Sequence, residues 1–449
     1  MQSIEAFLKE HHIDEVECLV PDMAGIARGK ILPAHKFLAG MRSTGLRIPE
    51  DVFIQTVNGD YPDDYADVVS AATRDVYLVP DASTIRIVPW YEEPTAQVIC
   101  DAHHFNSEAE VEIASRHILK RILALYEAEG WTPVVAPELE FFLVDVNTDP
   151  DYPLVPPIGR SGRRETSRQA YGVDAVNEFD PIFEEVYDFC EAQGIDIDTL
   201  THEGGAAQME MNFNHGDPLL LADQAFLFKR TVREAAMRHK VYATFMAKPM
   251  QGQPGSSMHV HQSVLDAKTG RNLFATRGGK DTALFRNHIA GLQRYLPTVM
   301  PMLAPNVNSY RRLMPDYDAP INTHWGYDNR TVGLRVPNSA PGNRRVENRL
   351  AGADANPYLA IAGSLACGYL GMTEKLKPRK PIEGSAYRLA RTLPRTLYDA
   401  LERFNGTRAL KPIFGALFID AVTMVKGEEL DAYQQVISSW EREHLLLNV

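Results

Sequence analysis

A six-residue stretch, Pro137-Glu138-Leu139-Glu140-Phe141-Phe142, sets two carboxylates two positions apart inside an apolar run at residues 132–144. The run is rich in valine, phenylalanine and leucine and reads as a buried strand. Side chains alternate across a strand, so Glu138 and Glu140 share one face while Leu139 and Phe141 take the other. Two carboxylates side by side in such a strand are costly unless something positive lies between them. The pattern recurs three times. Residues 207–213 set Gln208, Glu210 and Asn212 against Met209, Met211 and Phe213. Residues 258–261 point His259 and His261 the same way, and residues 345–350 set Arg345, Glu347 and Arg349 against Val346, Asn348 and Leu350. Glu203, beside the Gly204-Gly205 turn, can aim inward too. Glu138, Glu140, Glu203, Glu210 and Glu347 with the single imidazole of His259 make an oxygen-rich donor set, suited to Mg²⁺ or Mn²⁺ rather than to a structural zinc. Arg312, Arg330, Arg335, Arg345 and Arg349 add forked donors that fit carboxylate and phosphate oxygens. Cations, carboxylates and arginines together are the ingredients of phosphoryl transfer from a nucleotide. With no Walker-type glycine loop and no dinucleotide fingerprint, that nucleotide needs another cradle.

Four strands with ionisable residues on one face and mostly apolar residues on the other imply a curved sheet, or barrel, around a polar cavity. Residues 1 to about 105 read as a small α+β unit. It has a helix at the start and short extended runs such as Glu15–Pro21 and residues 51–57, separated by turn-formers that include Asn58-Gly59-Asp60 and Pro80-Asp81. A capping box from Ser107 to Glu110 opens a helix that stops at Gly130. The boundary therefore falls just after Cys100-Asp101, dividing the chain into residues 1–105 and a catalytic unit of residues 106–449. Asp180-Pro181 opens a helix ended by Gly194, and residues 219–240 form a long amphipathic one. Residues 150–178, rich in proline, glycine and arginine, read as a long functional loop. Residues 356–372 lack charge but are short, start Asn-Pro and hold three glycines, so they read as a buried helix rather than a membrane span.

The 449 residues are too many for one ordinary domain, and a charged fraction of 23% is normal for a soluble enzyme. A formal net charge of −13 argues against nucleic acid or an anionic membrane as partner. Cys18, Cys100, Cys190 and Cys367 show neither CxxC spacing nor a secretory disulfide pattern, and residues 1–10 carry acids, unlike a targeting peptide. Both point to a reducing cytoplasm.

In order and spacing the motifs resemble those of the glutamine synthetase superfamily, over essentially the whole chain. They are E-x-E at 137–142, E-G-G-x-x-Q-x-E at 203–210, Lys248-Pro249 followed by G-S-S-M-H-V-H at 255–261, N-S-Y-R-R-L-M-P-D-Y-D-A-P at 308–320, residues 329–337, and R-V-E-N-R with A-N-P-Y at 345–358. The resemblance implies a small N-terminal β-grasp-like domain before a large α/β domain bearing the active-site barrel, an α+β chain overall. It implies hexameric rings with sites completed between subunits. It also implies two divalent sites, Glu140, Glu203 and Glu210 matching the ligands of one and Glu138, His259 and Glu347 those of the other. Arg312 and Arg349 match residues that hold the glutamate carboxylate, and Gly255 matches a glycine lining that pocket. Arg330 and Arg335 match contacts to ATP phosphates, while His261 and Ser263 match nucleotide contacts. Asp318 falls where the family has a flap glutamate that accepts a proton, and Arg345 matches no clear role. His202, Gln208 and Asn212 read as supporting or packing residues.

Chemically, a carboxylate is a poor electrophile, and phosphoryl transfer from ATP would convert it to a γ-glutamyl phosphate whose leaving group a metal and Arg330 stabilise. The amine attacks as free base, so a carboxylate must take its proton, with Asp318 and Glu203 the candidates. The chain departs from ammonia-using relatives in substrate-side details. Their N-terminal D-G-S-S segment corresponds to Val57-Asn58-Gly59-Asp60, in which Asp60 is either a turn-former or an amine-site acid. Pro254 replaces an asparagine, and the flap residue is the shorter Asp318. Together with Arg28-Gly29-Lys30 and Trp440-Glu441-Arg442-Glu443-His444, this is similar to the γ-glutamyl amine or polyamine ligase branch. The expectation is an ATP-dependent ligase of glutamate and an organic amine. The alternatives are a glutamine synthetase using ammonia and a non-catalytic relative that keeps only the fold.

Overall fold

Two sheets carry the architecture of the protein, a computed structural model in which residues 3–63 and 65–449 are described. The first is built from β1 (Glu15–Pro21), β2 (Ala27–Pro33), β3 (Arg47–Pro49), β4 (Asp75–Pro80), β5 (Arg86–Ile87) and β6 (Thr95–His103), in the order β2-β1-β6-β4-β3 with β5 also on β6. Its β1–β6 pair is parallel and its other pairs antiparallel. The second is an eight-stranded, nearly closed sheet. It comprises β7 (Trp131–Asp145), β8 (Ile197–His202), β9 (Gln208–Phe213), β10 (Val241–Thr244), β11 (Met258–Asp266), β12 (Trp325–Tyr327), β13 (Leu334–Val336) and β14 (Val346–Asn348). The order is β12-β13-β14-β11-β7-β9-β8, with β10 pairing the far end of β7.

Register in this second sheet decides everything that follows. Glu138 lies opposite His259 on β11 and Asn212 on β9, and Glu140 lies opposite Glu210. His261 lies opposite Glu347 on β14, and Glu347 lies opposite Arg335 on β13. Directly opposed side chains sit about 5 Å apart, so pairing alone draws residues from five separate stretches of sequence into one row. The other face is apolar. Leu139, Phe141, Met209, Met211, Val260, Leu334 and Val346 are all fully buried, each stabilising the fold by roughly 1.5–3 kcal/mol. A one-residue slip of any strand would exchange the two faces, so burial of the apolar set also fixes where the ionisable set points.

Helices Ser115–Ala128, Pro218–Arg238 and Pro357–Thr373 cover that apolar face. The last is buried along its length, its N-terminus capped by Asn356, whose side-chain amide donates to the Asp22 carbonyl at 2.9 Å and so ties the helix to the β1–β2 turn. It crosses helix Ala283–Tyr295 at backbone contact, since a Cβ on Gly291 would lie 2.1 Å from the Cys367 carbonyl and one on Gly371 2.2 Å from the Asn287 carbonyl. None of the helices among the described residues is long and apolar enough to cross a membrane.

Several elements differ from the sequence expectation. The helix placed at Ser107 begins at Ser115, because residues 104–109 close a tight turn and the Glu110 carboxylate is taken by Lys120, at 2.8 Å, and by His117. Residues 51–57, read as extended, instead fall largely in a 3₁₀ turn, Glu50–Ile54, that buries Phe53 and Ile54. β8 escapes the alternation analysis. Residues 150–178 are irregular except for the short helix Val173–Asn177 and an Ile158–Arg164 bridge. The opening helix runs Ile4–Glu10, and Met1 and Gln2 lie outside the described residues.

Candidate active site

The row of ionisable residues opens into two adjoining cavities that share Glu138 and Asn212 in their walls. The larger, about 520 Å³, is lined by Glu138, Glu140, Glu203, Glu210, His259 and Glu347. Gly255, Arg312, Asp318, Arg330, Arg335 and Arg349 line it too. The smaller, about 410 Å³, holds His261, Ser263 and Arg345 with Asp198, His215 and Asn343.

Three groups of potential ligand atoms lie within 4.8 Å of one another: Glu140 with Glu203 and Glu210, Glu138 with Glu210 and His259, and Glu138 with His261 and Glu347. Glu138 therefore bridges two of them. Its Oε1 lies 2.6 Å from His261 Nε2 and its Oε2 lies 3.3 Å from His259 Nδ1. Burial pushes the Glu138 carboxyl up, but the hydrogen bonds from both imidazoles outweigh it and hold the group well below the usual range. Glu347 is likewise opposed by burial, yet Arg349 and the two histidines bring it down to about 2. Arg335 Nη1 donates to Glu347 at 2.7 Å, and Arg349 pairs with its other oxygen. Glu140 behaves in the opposite way: burial and the neighbouring Glu203 push it up to about 8, although Ser257 donates to it through N–H (2.8 Å) and Oγ (2.6 Å). Glu210 is raised by burial and by Glu138, Glu140 and Glu203, and Glu203 is raised by burial. His259 is lowered by burial and by Arg349, although Glu138 and Glu347 pull it the other way.

Carboxylates held this close and this dry, with an imidazole beside them, fit a divalent cation, which would relieve the repulsion that raises Glu140 and Glu210. Around them stand donors with nothing to bind. Arg312 is buried and donates through Nη2 to the Leu350 carbonyl, while its Nε, like Arg349 Nε and Ser256 Oγ, has no partner among the described residues. Gly255 lets Arg312 come this close, since a Cβ there would lie 2.4 Å from Arg312 Cγ, and its carbonyl accepts from Gln208 Nε2 at 3.0 Å. Asp318 and Tyr317 both adopt left-handed backbone (φ +56° and +53°), and the Asp318 carbonyl faces Arg349 Nη2 at 3.4 Å. Such strain in two adjacent non-glycine residues belongs to functional loops.

Sequence reasoning missed part of this wall. Arg345, which matched no clear role, lines the smaller cavity with Nε 3.1 Å from His261 Nδ1; its alternation with Glu347 and Arg349 was the available signal. Asp198 and His215 gave none, being single polar residues at the surface ends of β8 and β9. From the loop at 150–178, Arg168 and Tyr171 reach the larger cavity. Asp60 lines neither cavity and shapes the Thr56–Asp60 turn through its backbone.

Comparison with known proteins decides the family. The model of the glutamine synthetase catalytic domain matches residues 112–445. The chain belongs to the glutamine synthetase family. A glutamate–isopropylamine ligase of Pseudomonas is 33% identical across 98% of this chain and 96% of its own, and the γ-glutamylputrescine synthetase of Escherichia coli is 32% identical across 100% and 95%. The glutamine synthetase of Thermus thermophilus is 31% identical over 89% of this chain and 92% of its own. Among solved structures, ligand-free GmaS superposes with a TM-score of 0.83 and its ADP complex with 0.84. Each covers 99% of this chain and 100% of its own at 26% identity.

Proposed function

We propose that this protein is an ATP-dependent ligase that joins the γ-carboxylate of glutamate to an organic amine through a γ-glutamyl phosphate. The observation that carries the reading is the pairing of two cavities across Glu138: a carboxylate cage with unpartnered arginine donors on one side, and a chamber with His261, Ser263 and Arg345 on the other. The larger cavity suits glutamate, whose α-carboxylate would meet Arg312 and Arg349 and thereby present its γ-carboxylate to the cage. The smaller suits the nucleotide, whose phosphates would reach toward Arg330 and Arg335 on the wall of the larger. Mg²⁺ or Mn²⁺ held by Glu138, Glu140, Glu203, Glu210, His259 and Glu347 would neutralise phosphate charge. Arg330, exposed on the cavity wall, has the reach to meet charge developing on a transferred phosphoryl group. Asp318 and Glu203 line the same space, which supports them as the carboxylates that would take a proton from the attacking amine.

The amine preference follows the relatives of highest identity quoted above, whose names specify isopropylamine and putrescine. Glutamine synthetases align nearly as well, so ammonia is the second reading. Measuring ATP- and glutamate-dependent phosphate release with ammonium and with a panel of primary amines and diamines separates them. We expect an organic amine to give the highest kcat/KM; ammonium as clearly the best acceptor would reject the first reading. Six-membered rings in the cytoplasm belong to the same proposal, supported by family membership and tested by light scattering on the purified chain.

A further inference from the structure

Glu203 sits on the β8–β9 turn, and three carboxylates crowded within 4.8 Å repel one another. Something other than themselves must hold that turn in place. Glu165, from the irregular segment at 146–172, supplies it. Its Oε2 accepts from the backbone N–H of Ala207 at 2.7 Å and lies 3.0 Å from His202 Nε2. The other ring nitrogen of His202, Nδ1, lies 2.8 Å from the carbonyl oxygen of Glu203. A carbonyl only accepts, so Nδ1 carries the hydrogen and donates it. The His202 side chain has 0% exposure, so no water competes for either nitrogen. Tyr171 in the same segment donates its N–H to the His202 carbonyl at 2.9 Å, and the Glu203 N–H donates to the Gln208 carbonyl at 2.8 Å. Ala207, whose N–H Glu165 accepts, is itself a non-glycine residue at φ +55°, a conformation that needs its surroundings to hold it.

We propose that Glu165 and His202 are positioning residues that clasp the β8–β9 turn and so fix the Glu203 carboxylate at the spacing from Glu140 and Glu210 that a divalent cation requires. This deepens the proposed function and rests on its reading of that cluster as a cation site. The clasp also ties the cation site to the segment that lines the larger cavity through Arg168 and Tyr171, so ligands there and cations at Glu203 act on one connected piece of chain.

The test is Mn²⁺ titration of the purified full-length chain without ATP or glutamate, free ion being followed by electron paramagnetic resonance. Glu165→Ala is expected to weaken Mn²⁺ binding on the order of tenfold, the usual cost of removing a group that orients a metal ligand, with a melting temperature near that of the parent. Glu165→Gln, which keeps an acceptor oxygen for the Ala207 N–H, recovers most of the affinity. His202→Phe fills the same space without either nitrogen and loses affinity as Glu165→Ala does, which keeps the test decisive should one variant fail to fold. Unchanged Mn²⁺ affinity in a folded Glu165→Ala or His202→Phe protein overturns the clasp. A parent protein that binds Mn²⁺ but ligates no amine counts against the proposed function alone.

Discussion

Glu140 and Glu138 are one strand step apart in the same alternation, yet their surroundings drive them in opposite directions. Glu138 is ionised by its two imidazoles, whereas Glu140, facing Glu203 and Glu210, is pushed up to about 8. A cation entering the Glu140 cluster must displace protons, so Mn²⁺ affinity is expected to rise between pH 6 and about 8 and then level off. Calorimetry in buffers of different ionisation enthalpy measures the protons released; binding that is independent of pH and of buffer would refute the assignment. The stability sign follows from the same shift. A folded-state value above the unfolded carboxylate value stabilises the metal-free protein at low pH, and that contribution is lost as pH rises from about 4.5 toward 8. In chelator, Glu140→Gln should therefore flatten the fall in melting temperature across that window. Arg312 offers a separate test. Replacing it with lysine keeps a charge but loses the unpartnered Nε and the fork; at about 1.5–3 kcal/mol per charged hydrogen bond, the glutamate KM should rise at least tenfold while the ATP KM holds. An unchanged glutamate KM would remove Arg312 from that role. The strand glutamates were legible in the sequence because alternation is a local code. Glu165 was not, since only the folded chain brings position 165 beside position 202.

At the scale of elements, the strands that could be read were the apolar run Glu15–Pro21, observed at those bounds, and those with two-residue alternation. Of these, β7 and β9 came out within a residue or so of their observed ends. Boundaries failed where a local signal was used for something else. Ser107 and Glu110 have the spacing of a helix start, but Glu110 spends its carboxylate on His117 and Lys120 of the helix that actually follows. Arg116, on that helix and invisible as anything but a surface-type residue in the sequence, proves to be a joint between the first sheet and the helices that cover the second. It is buried and donates to Asp81 (2.7 Å) just after β4, to Asp101 (2.9 Å) on β6, and to Asp223 (2.9 Å) on the helix Pro218–Arg238 that covers the second sheet. Tyr358 donates to the same Asp223 at 2.6 Å. Arg116→Met would strand these carboxylates, so urea unfolding should show a loss of roughly 3–5 kcal/mol. Adding Asp223→Asn should return part of it, because one buried charge is then removed along with its partner. A loss below about 1 kcal/mol would mean that solvent already reaches the cluster and that the joint lies elsewhere.

For the molecule as a whole, the cage is the constraint from which ligand order follows. The chain carries a net charge of −13, and its clustered glutamates line the larger cavity, with Glu138 in the wall shared with the smaller. A nucleoside triphosphate entering the smaller cavity meets Glu138 in the shared wall, and two of the nearby arginines, Arg335 and Arg349, are already engaged with Glu347. On the proposed function, cations are expected to come first or to arrive with the nucleotide. Thermal unfolding should report this as a strict requirement: ATP alone leaves the melting temperature unchanged, Mn²⁺ alone raises it modestly, and the two together raise it by several degrees. Ligand at a hundred times its Kd adds about 2.7 kcal/mol to the folded state, enough for such a shift in a chain of this size. Glu347→Ala frees Arg335 and Arg349 while removing one corner of the cage. If the cage controls entry, this variant loses the Mn²⁺-dependent part of the shift and gains a weak response to ATP alone. Full stabilisation of the parent protein by ATP in the presence of chelator would show that the nucleotide chamber works without the carboxylates, and the coupling of the two cavities through Glu138 would have to be abandoned.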